Sequence, residues 1–170
     1  MSEIFFGADH HLGHKGILKY ESKVRPFSCV DEMNEVIIDR HNSVVGKQDI
    51  VWFGGDVAIG ARHIELVGRM NGIKKLIMGN HDMHSMETYL KYFTKVYGAY
   101  QFQNFLLTHV PVHPCQMNER FWGNIHGHMH NKKFDRMGKR YINICIDNLP
   151  DLKPIPYDEI LNIATEQEDV

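Results

Sequence analysis

Polar residues able to hold a divalent cation recur at the ends of apolar runs: Asp9 and His11 in GADHHLG, Asp56 in GGDV, Asn80 with His81 and Asp82 in GNHD, His109 in LLTHVP, and His126, His128 and His130 in NIHGHMH. Histidine is unusually frequent, 12 in 170 residues. Imidazole is both the commonest metal ligand and the side chain that titrates nearest neutral pH. Carboxylates, a carboxamide and imidazoles without a thiolate suit metals of intermediate hardness such as manganese, iron or zinc, and the set holds too many nitrogens for a calcium or magnesium cage. Singly, each residue reads as an ordinary turn or strand-end polar group. As an ordered set, each after an apolar run, they demand elements that bring them together.

Those elements can be read from the apolar pattern. EIFFGA, residues 3–8, predicts a buried strand running into a long loop. Ser28 fits a helix N-cap, with Asp31 three residues on and Met33, Val36, Ile37 and Val44 on one face, which predicts a helix over about 29–45. DIVWFGGD predicts a second buried strand ending at a Gly-Gly-Asp turn, followed by a weaker helical pattern through Ile64, Val67 and Met70. IKKLIMGNHD predicts a third strand stopping at Gly79, then a helix with Met86, Tyr89, Leu90 and Phe93 on its face. Three successive strand–helix units imply parallel strands with crossover helices, and such sheets carry their chemistry in the loops beyond the carboxyl ends of the strands. After about residue 95, KVYGAYQFQNFLLTHVPV, NIHGHMH and KRYINICI predict a mostly β, partly antiparallel half with a closing helix near Tyr157–Ala164. No linker separates the halves, so one α/β domain over 1–170 is expected, with two packed mixed sheets flanked by helices. The end of the chain, 166–170, reads as a frayed, solvated tail.

Composition narrows the function class. Apolar residues make up 43% and charged ones 24%, with no low-complexity tract, which fits a globular domain rather than a disordered one. No apolar run reaches the roughly 20 residues needed to span a bilayer. The first residues lack a basic start and an apolar stretch, so a cytoplasmic location is expected. Cys29, Cys115 and Cys145 form neither a C-x-x-C pair nor a disulfide framework and are expected to be reduced and buried. A net charge of −2 argues against extended duplex nucleic-acid binding and leaves a small anionic substrate open.

The order D-x-H, G-D, G-N-H-D, a lone H and G-H-x-H resembles the calcineurin-like metallophosphoesterase superfamily across nearly the whole chain, most of all its small bacterial and phage members. The resemblance implies a four-layer α-β-β-α fold and two divalent ions, manganese first, with iron, zinc or nickel as alternatives. It makes Asp9, His11 and His130 ligands of one ion, Asn80, His109 and His128 ligands of the other, and Asp56 a bridge. It further implies a hydroxide shared by the ions as nucleophile, and His81 as the group that donates a proton to the leaving oxygen or steadies phosphoryl charge. GDVAIGARH departs from the protein Ser/Thr phosphatase branch, whose G-D element continues with Asp, Arg and Gly. The short intervals between motifs leave no room for a cap domain. Gly55, Gly79 and Gly127 stand where a side chain would obstruct close backbone approach.

Other residues carry weaker readings. Asp82 is expected to hold the loop or a ligand by hydrogen bonding, and His126 to pack behind the ligands. His10, His14, Lys15 and Arg25 contact substrate or sit on a solvated loop; Pro111 and His113 line the pocket rim or do nothing. Phe121 and Trp122 are candidates for stacking on a nucleobase, whereas His41, His63 and His84 read as surface residues on helices. The expected activity is hydrolysis of a phosphodiester of small or nucleotide type. The alternatives are a phosphomonoesterase or nucleotidase with the same metals, a catalytically idle metal- or nucleotide-binding module, and a single-strand nuclease. The oligomeric state is left open.

Overall fold

A computed structural model describes residues 2–60, 62–117, 120–132 and 140–167. The apolar run after Glu3 forms β1 (Ile4–Gly7), and the long first loop contains one helical turn, α1 (Ile17–Tyr20), before the longest helix, α2 (Val30–Val44). β2 (Ile50–Phe53), a 3-10 helix (His63–Arg69), β3 (Ile73–Ile77), α3 (Met86–Tyr89) and β4 (Lys95–Tyr97) follow. The second half holds β5 (Ala99–Phe102), β6 (Phe105–Thr108), β7 (Gly123–His126), β8 (Tyr141–Asn143), β9 (Ile155–Pro156) and α4 (Tyr157–Glu166), with 3-10 turns at 114–116, 146–148 and 150–152. Within the tail expected from the sequence, 168–170 lie outside the described residues, as does Lys139 at the start of the strand expected from KRYINICI.

The fold is mixed α/β with two mixed sheets. One has the order β4-β3-β2-β1-β9, the other β5-β6-β7-β8. β1 to β4 run parallel and β9 closes that sheet antiparallel. In the second sheet β5 and β6 are antiparallel, while β6, β7 and β8 are parallel. Alternation along β2 explains what each face meets. Trp52 packs against Tyr100 and Phe102 of the other sheet, at ring separations of 4.8 and 6.0 Å. Phe53, pointing the opposite way, packs on Phe93 and on His41 of α2. Tyr157, at the start of α4, touches Phe6 of one sheet and Phe102 and Phe105 of the other. Burial of such aromatic groups is a major stabilising contribution to a domain of this size.

Several local expectations are corrected. The N-cap of α2 is Cys29, whose Sγ accepts the Glu32 N–H, while Ser28 one residue earlier binds the Glu32 carboxylate through its N–H and hydroxyl. The buried stripe of α2 runs Val30, Met33, Asn34, Ile37, Ile38, His41. His41 is therefore a core residue rather than a surface one, and Val44 falls outside the stripe and is exposed. The helix expected around 86–93 closes after a single turn; Tyr89 and Phe93 are buried but Met86 and Leu90 are exposed. All three cysteines are free, but only Cys145 is buried.

The carboxyl ends of the two sheets are stitched together. The Gly7 carbonyl accepts the Gly54 N–H and the Gly55 carbonyl accepts the Asp9 N–H. On the other side Ala8 donates to the Ile144 carbonyl and accepts from the Ile146 N–H, while Gly127 donates to the His109 carbonyl. Loops leaving β1, β2, β6, β7 and β8 are thereby gathered along one seam, and Asp82 ties the loop after β3 to the one after β2.

Candidate metal centre

At that seam the seven expected ligands meet. Asp9, His11 and His130 form one group and Asp56, His109 and His128 another, each with its ligand atoms within 4.8 Å of one another. Asp9 Oδ1 lies 3.7 Å from both His11 Nε2 and His130 Nε2. Asp56 Oδ2 lies 3.9 Å from His11 Nε2 and 3.4 Å from His109 Nε2, so this carboxylate stands between the groups. Asn80 joins the second group, its Oδ1 being 3.0 Å from His109 Nε2. Two atoms each about 2.1 Å from one ion lie roughly 3 to 4 Å apart, and these spacings match.

The backbone is bent to aim these side chains. Asp9, His11, Asp56, His128 and His130 all take left-handed φ values, of 59, 52, 53, 69 and 47°. Such conformations cost about 1 kcal/mol or more each for residues with a side chain and cluster where function requires them. The expected strand NIHGHMH ends at His126 for the same reason. His128 and His130 therefore do not share a pleated face with His126; they project from a turn. Two glycines admit this crowding. A Cβ on Gly55, whose φ is 97°, would lie 2.5 Å from His109 Nδ1 and 2.7 Å from the Gly79 nitrogen; one on Gly127 would strike Asp9 Oδ2 and lie 2.8 Å from the Ala8 Cβ.

Hydrogen bonds use up the far side of most donors and leave the near side bare. Asp9 Oδ2 accepts the His128 N–H and the Cys145 thiol. Asp56 Oδ1 accepts the His81 N–H. His109 Nδ1 lies 2.8 Å from the Gly54 carbonyl and His130 Nδ1 2.6 Å from Asp147 Oδ2. Buried Asp9 Oδ1 and both nitrogens of buried His11 have no hydrogen-bond partner among the described residues. Orphaned polar atoms are costly in an interior, and here Asp9 Oδ1 and His11 Nε2 face one another. The residues present therefore fit a divalent cation.

Electrostatics agree. Burial alone would raise Asp9, but His11, His109, Cys145 and His130 hold its carboxyl well below the usual range. Asp56 is lowered as well, because His109 outweighs burial. Burial would lower His109 and His130, yet Asp56 with Asp9 raises the first, and Asp147 with Asp9 raises the second. Burial and the Asp9 charge push the Cys145 thiol up, so it remains a proton donor.

The other expected site residues divide. His81 is exposed, with its ring 5.7 Å from that of His11. His14 approaches both, at 5.3 Å from His11 and 6.4 Å from His81. Buried Asp82 accepts the N–H groups of Asp56, Val57 and Gly79, which fixes the two loops to each other as expected. His126 is fully buried, its Nδ1 on the Gly127 carbonyl, and burial lowers its pKa to about 4. Arg25 is neither solvated nor free for substrate: it is 1% exposed and bound to Asp147 and to the Asp9 and His10 carbonyls. His10 is likewise a core residue, its ring tilted against that of Phe53 at 4.8 Å. His113 caps the 114–116 turn and enters neither ligand group. Trp122 packs on Phe105, and it precedes β7, which runs toward the ligands. Four strand residues at about 3.3 Å each put it at the opposite end, so it is not placed to stack on a substrate there.

The part that two residues play at the site went unnoticed in the sequence. Asp147 follows the strand-like run INICI, and the rule that flagged the other strand-end carboxylates applies to it as well. Cys145 gave no such signal, since its role depends on the bridge pairing it with Ala8.

Comparison with known proteins gives relatives whose names state no function. Searched against models of known families, the chain matches none. It is 24% identical to the gene 66 protein of Mycobacterium phage D29 over 99% of each chain. The crystal structure of a protein of unknown function from Aquifex aeolicus, AQ665, shares the fold with a TM-score of 0.76 at 24% identity, over 96% of this chain and 100% of that one. No described helix is long and apolar enough to cross a membrane. An uncharacterized protein of Methanocaldococcus jannaschii, MJ1445, is 33% identical over 96% of this chain and 92% of its own length, and the chain belongs to the family of that protein.

Proposed function

We propose that the protein is a calcineurin-like metallophosphoesterase of the four-layer α-β-β-α type that hydrolyses phosphodiesters with two divalent ions, manganese first. Asp9, His11 and His130 would hold one ion, Asn80, His109 and His128 the other, and Asp56 both. The single observation that carries the reading is the facing pair of bare ligand atoms, Asp9 Oδ1 and His11 Nε2, buried and unpartnered beside Asp56. Bound there, the ions would supply the positive charge that polarises a phosphoryl group and activates water.

The chain's own residues do the rest. Asp56 anchors the His81 backbone through Oδ1 while turning Oδ2 to the cluster, so the metal-facing carboxylate also locates the proton donor. From that position a His81 ring nitrogen protonates the leaving-group oxygen. Asp82 holds the two loops at fixed separation through three backbone N–H groups, which keeps the reacting groups in register. A diester is favoured over a monoester because Arg25, the first-loop arginine expected to contact substrate, is spent on Asp147 and not free to clamp a terminal phosphate. The test compares hydrolysis of a bis-aryl and a mono-aryl phosphate by the manganese-loaded protein. Faster diester turnover is expected; a large monoester excess reverses the substrate assignment, and no turnover on diesters, monoesters or pyrophosphates makes the protein a binder instead.

A further inference from the structure

Arg25 and Asp147 meet in the interior with both side chains fully buried, the Arg25 Nε donating to Asp147 Oδ1 at 2.6 Å and Nη2 to Oδ2 at 2.9 Å. A buried ion pair of this kind is no reliable source of stability, because desolvation of both partners offsets the attraction. Its geometry points to another purpose. The same guanidinium donates to the carbonyls of Asp9 and His10, the residues that carry the first ligand and flank the second. The same carboxylate accepts from His130 Nδ1, and the His130 carbonyl is held in turn by Asn143 and Asn148.

We propose that Arg25 and Asp147 are a positioning pair, which holds the Asp9–His11 turn and the His130 ring in ligating geometry before a cation arrives. This rests on reading the cluster as a cation site. With Nδ1–H committed to Asp147, the His130 lone pair must lie on Nε2, and Nε2 faces Asp9 Oδ1 at 3.7 Å. A carboxylate behind a ligating imidazole fixes its tautomer and raises its basicity. The guanidinium ties that carboxylate to the left-handed turn at Asp9, so three ligands from opposite ends of the chain share one brace.

Asp147→Asn tests this. An asparagine can still accept from Arg25 through its oxygen while its NH2 donates to His130 Nδ1. That moves the ring proton to Nε2, where it blocks the cation, as tautomer-reversing Asp→Asn changes do in catalytic triads. Titrating metal-free protein with Mn2+, we expect two ions in the parent, and in the variant one affinity lowered about 10- to 100-fold with the other unchanged. Asp147→Glu should recover part of the loss. Because the variant could misfold, the second measurement uses the metal-free parent: long-range proton–nitrogen spectra at mildly alkaline pH should show His130 with Nδ1 protonated. An Nε2-protonated ring, or a folded variant that takes up both ions like the parent, overturns the positioning role alone. A parent that takes up no ion overturns the cation reading and this role with it.

Discussion

On the Asp9 side of the cluster the candidate ligands are aimed by groups behind them. Asp9 Oδ2 is occupied by His128 N–H and the Cys145 thiol, leaving Oδ1 bare, and His130 is turned by Asp147, itself gripped by Arg25. On the Asn80 side the ligands lean on each other. His109 has its Nδ1 on the Gly54 carbonyl, but its Nε2 is 3.0 Å from Asn80 Oδ1, and Asn80 stands on an exposed loop. A cation entering the first group finds atoms with no contact to give up. One entering the second must part Asn80 from His109, at a net cost of about 1 kcal/mol for the hydrogen bond. The same residue types thus make a braced half and a yielding half, and the ions should load in that order.

The largest effect should come from removing what the halves share. Asp56→Asn is expected to lose both ions and about 10,000-fold or more in diester turnover, read by metal analysis beside a rate assay; retention of either ion breaks the bridge. His81→Ala should keep both ions and lose about 100- to 10,000-fold in turnover, so a loss of metal there would mean that His81 is a ligand or a structural support. Asn80→Ala sharpens the comparison: the weaker Mn2+ site should lose about 10- to 100-fold in affinity while the tighter one is unchanged, and an effect on the tighter site would reverse the loading order.

The smallest effect on the ions should come from His41, which lies apart from both halves. Burial lowers its pKa from 6.5 to about 4, so it is neutral in the fold and binds a proton in the unfolded chain below about pH 6.5. The contribution of this group to stability is therefore complete above that pH and is lost as the pH drops toward 4, by up to about 3 kcal/mol. In urea unfolding of the metal-free protein, His41→Gln should flatten that decline without changing Mn2+ affinity. An unaltered decline would contradict the role of burial at this site.

The clustering of the seven candidate residues was legible because each follows a strand-like run, and parallel strands deliver such residues to one edge. Its bracing was less so. The Arg25–Asp147 contact spans 122 positions, and nothing local distinguishes Arg25 from a solvated loop arginine. His41 was misassigned through helix phase: the apolar stripe through Ile37 and Ile38 continues to a histidine, which residue type alone marks as polar. His128 and His130 looked like alternate positions of a strand, and only their left-handed turns send them toward Asp56 and Asp9. Trp122 was a candidate because it stands between His109 and His128 in what reads as a loop, whereas the direction of β7 carries it away from His128.

Crystals of the protein grown with Mn2+ and measured for anomalous scattering would test the central claim most directly. Two peaks on either side of the Asp56 carboxylate are predicted, one among Asp9, His11 and His130 and the other among Asn80, His109 and His128. A well-ordered cluster with no peak, or manganese bound elsewhere, would contradict it.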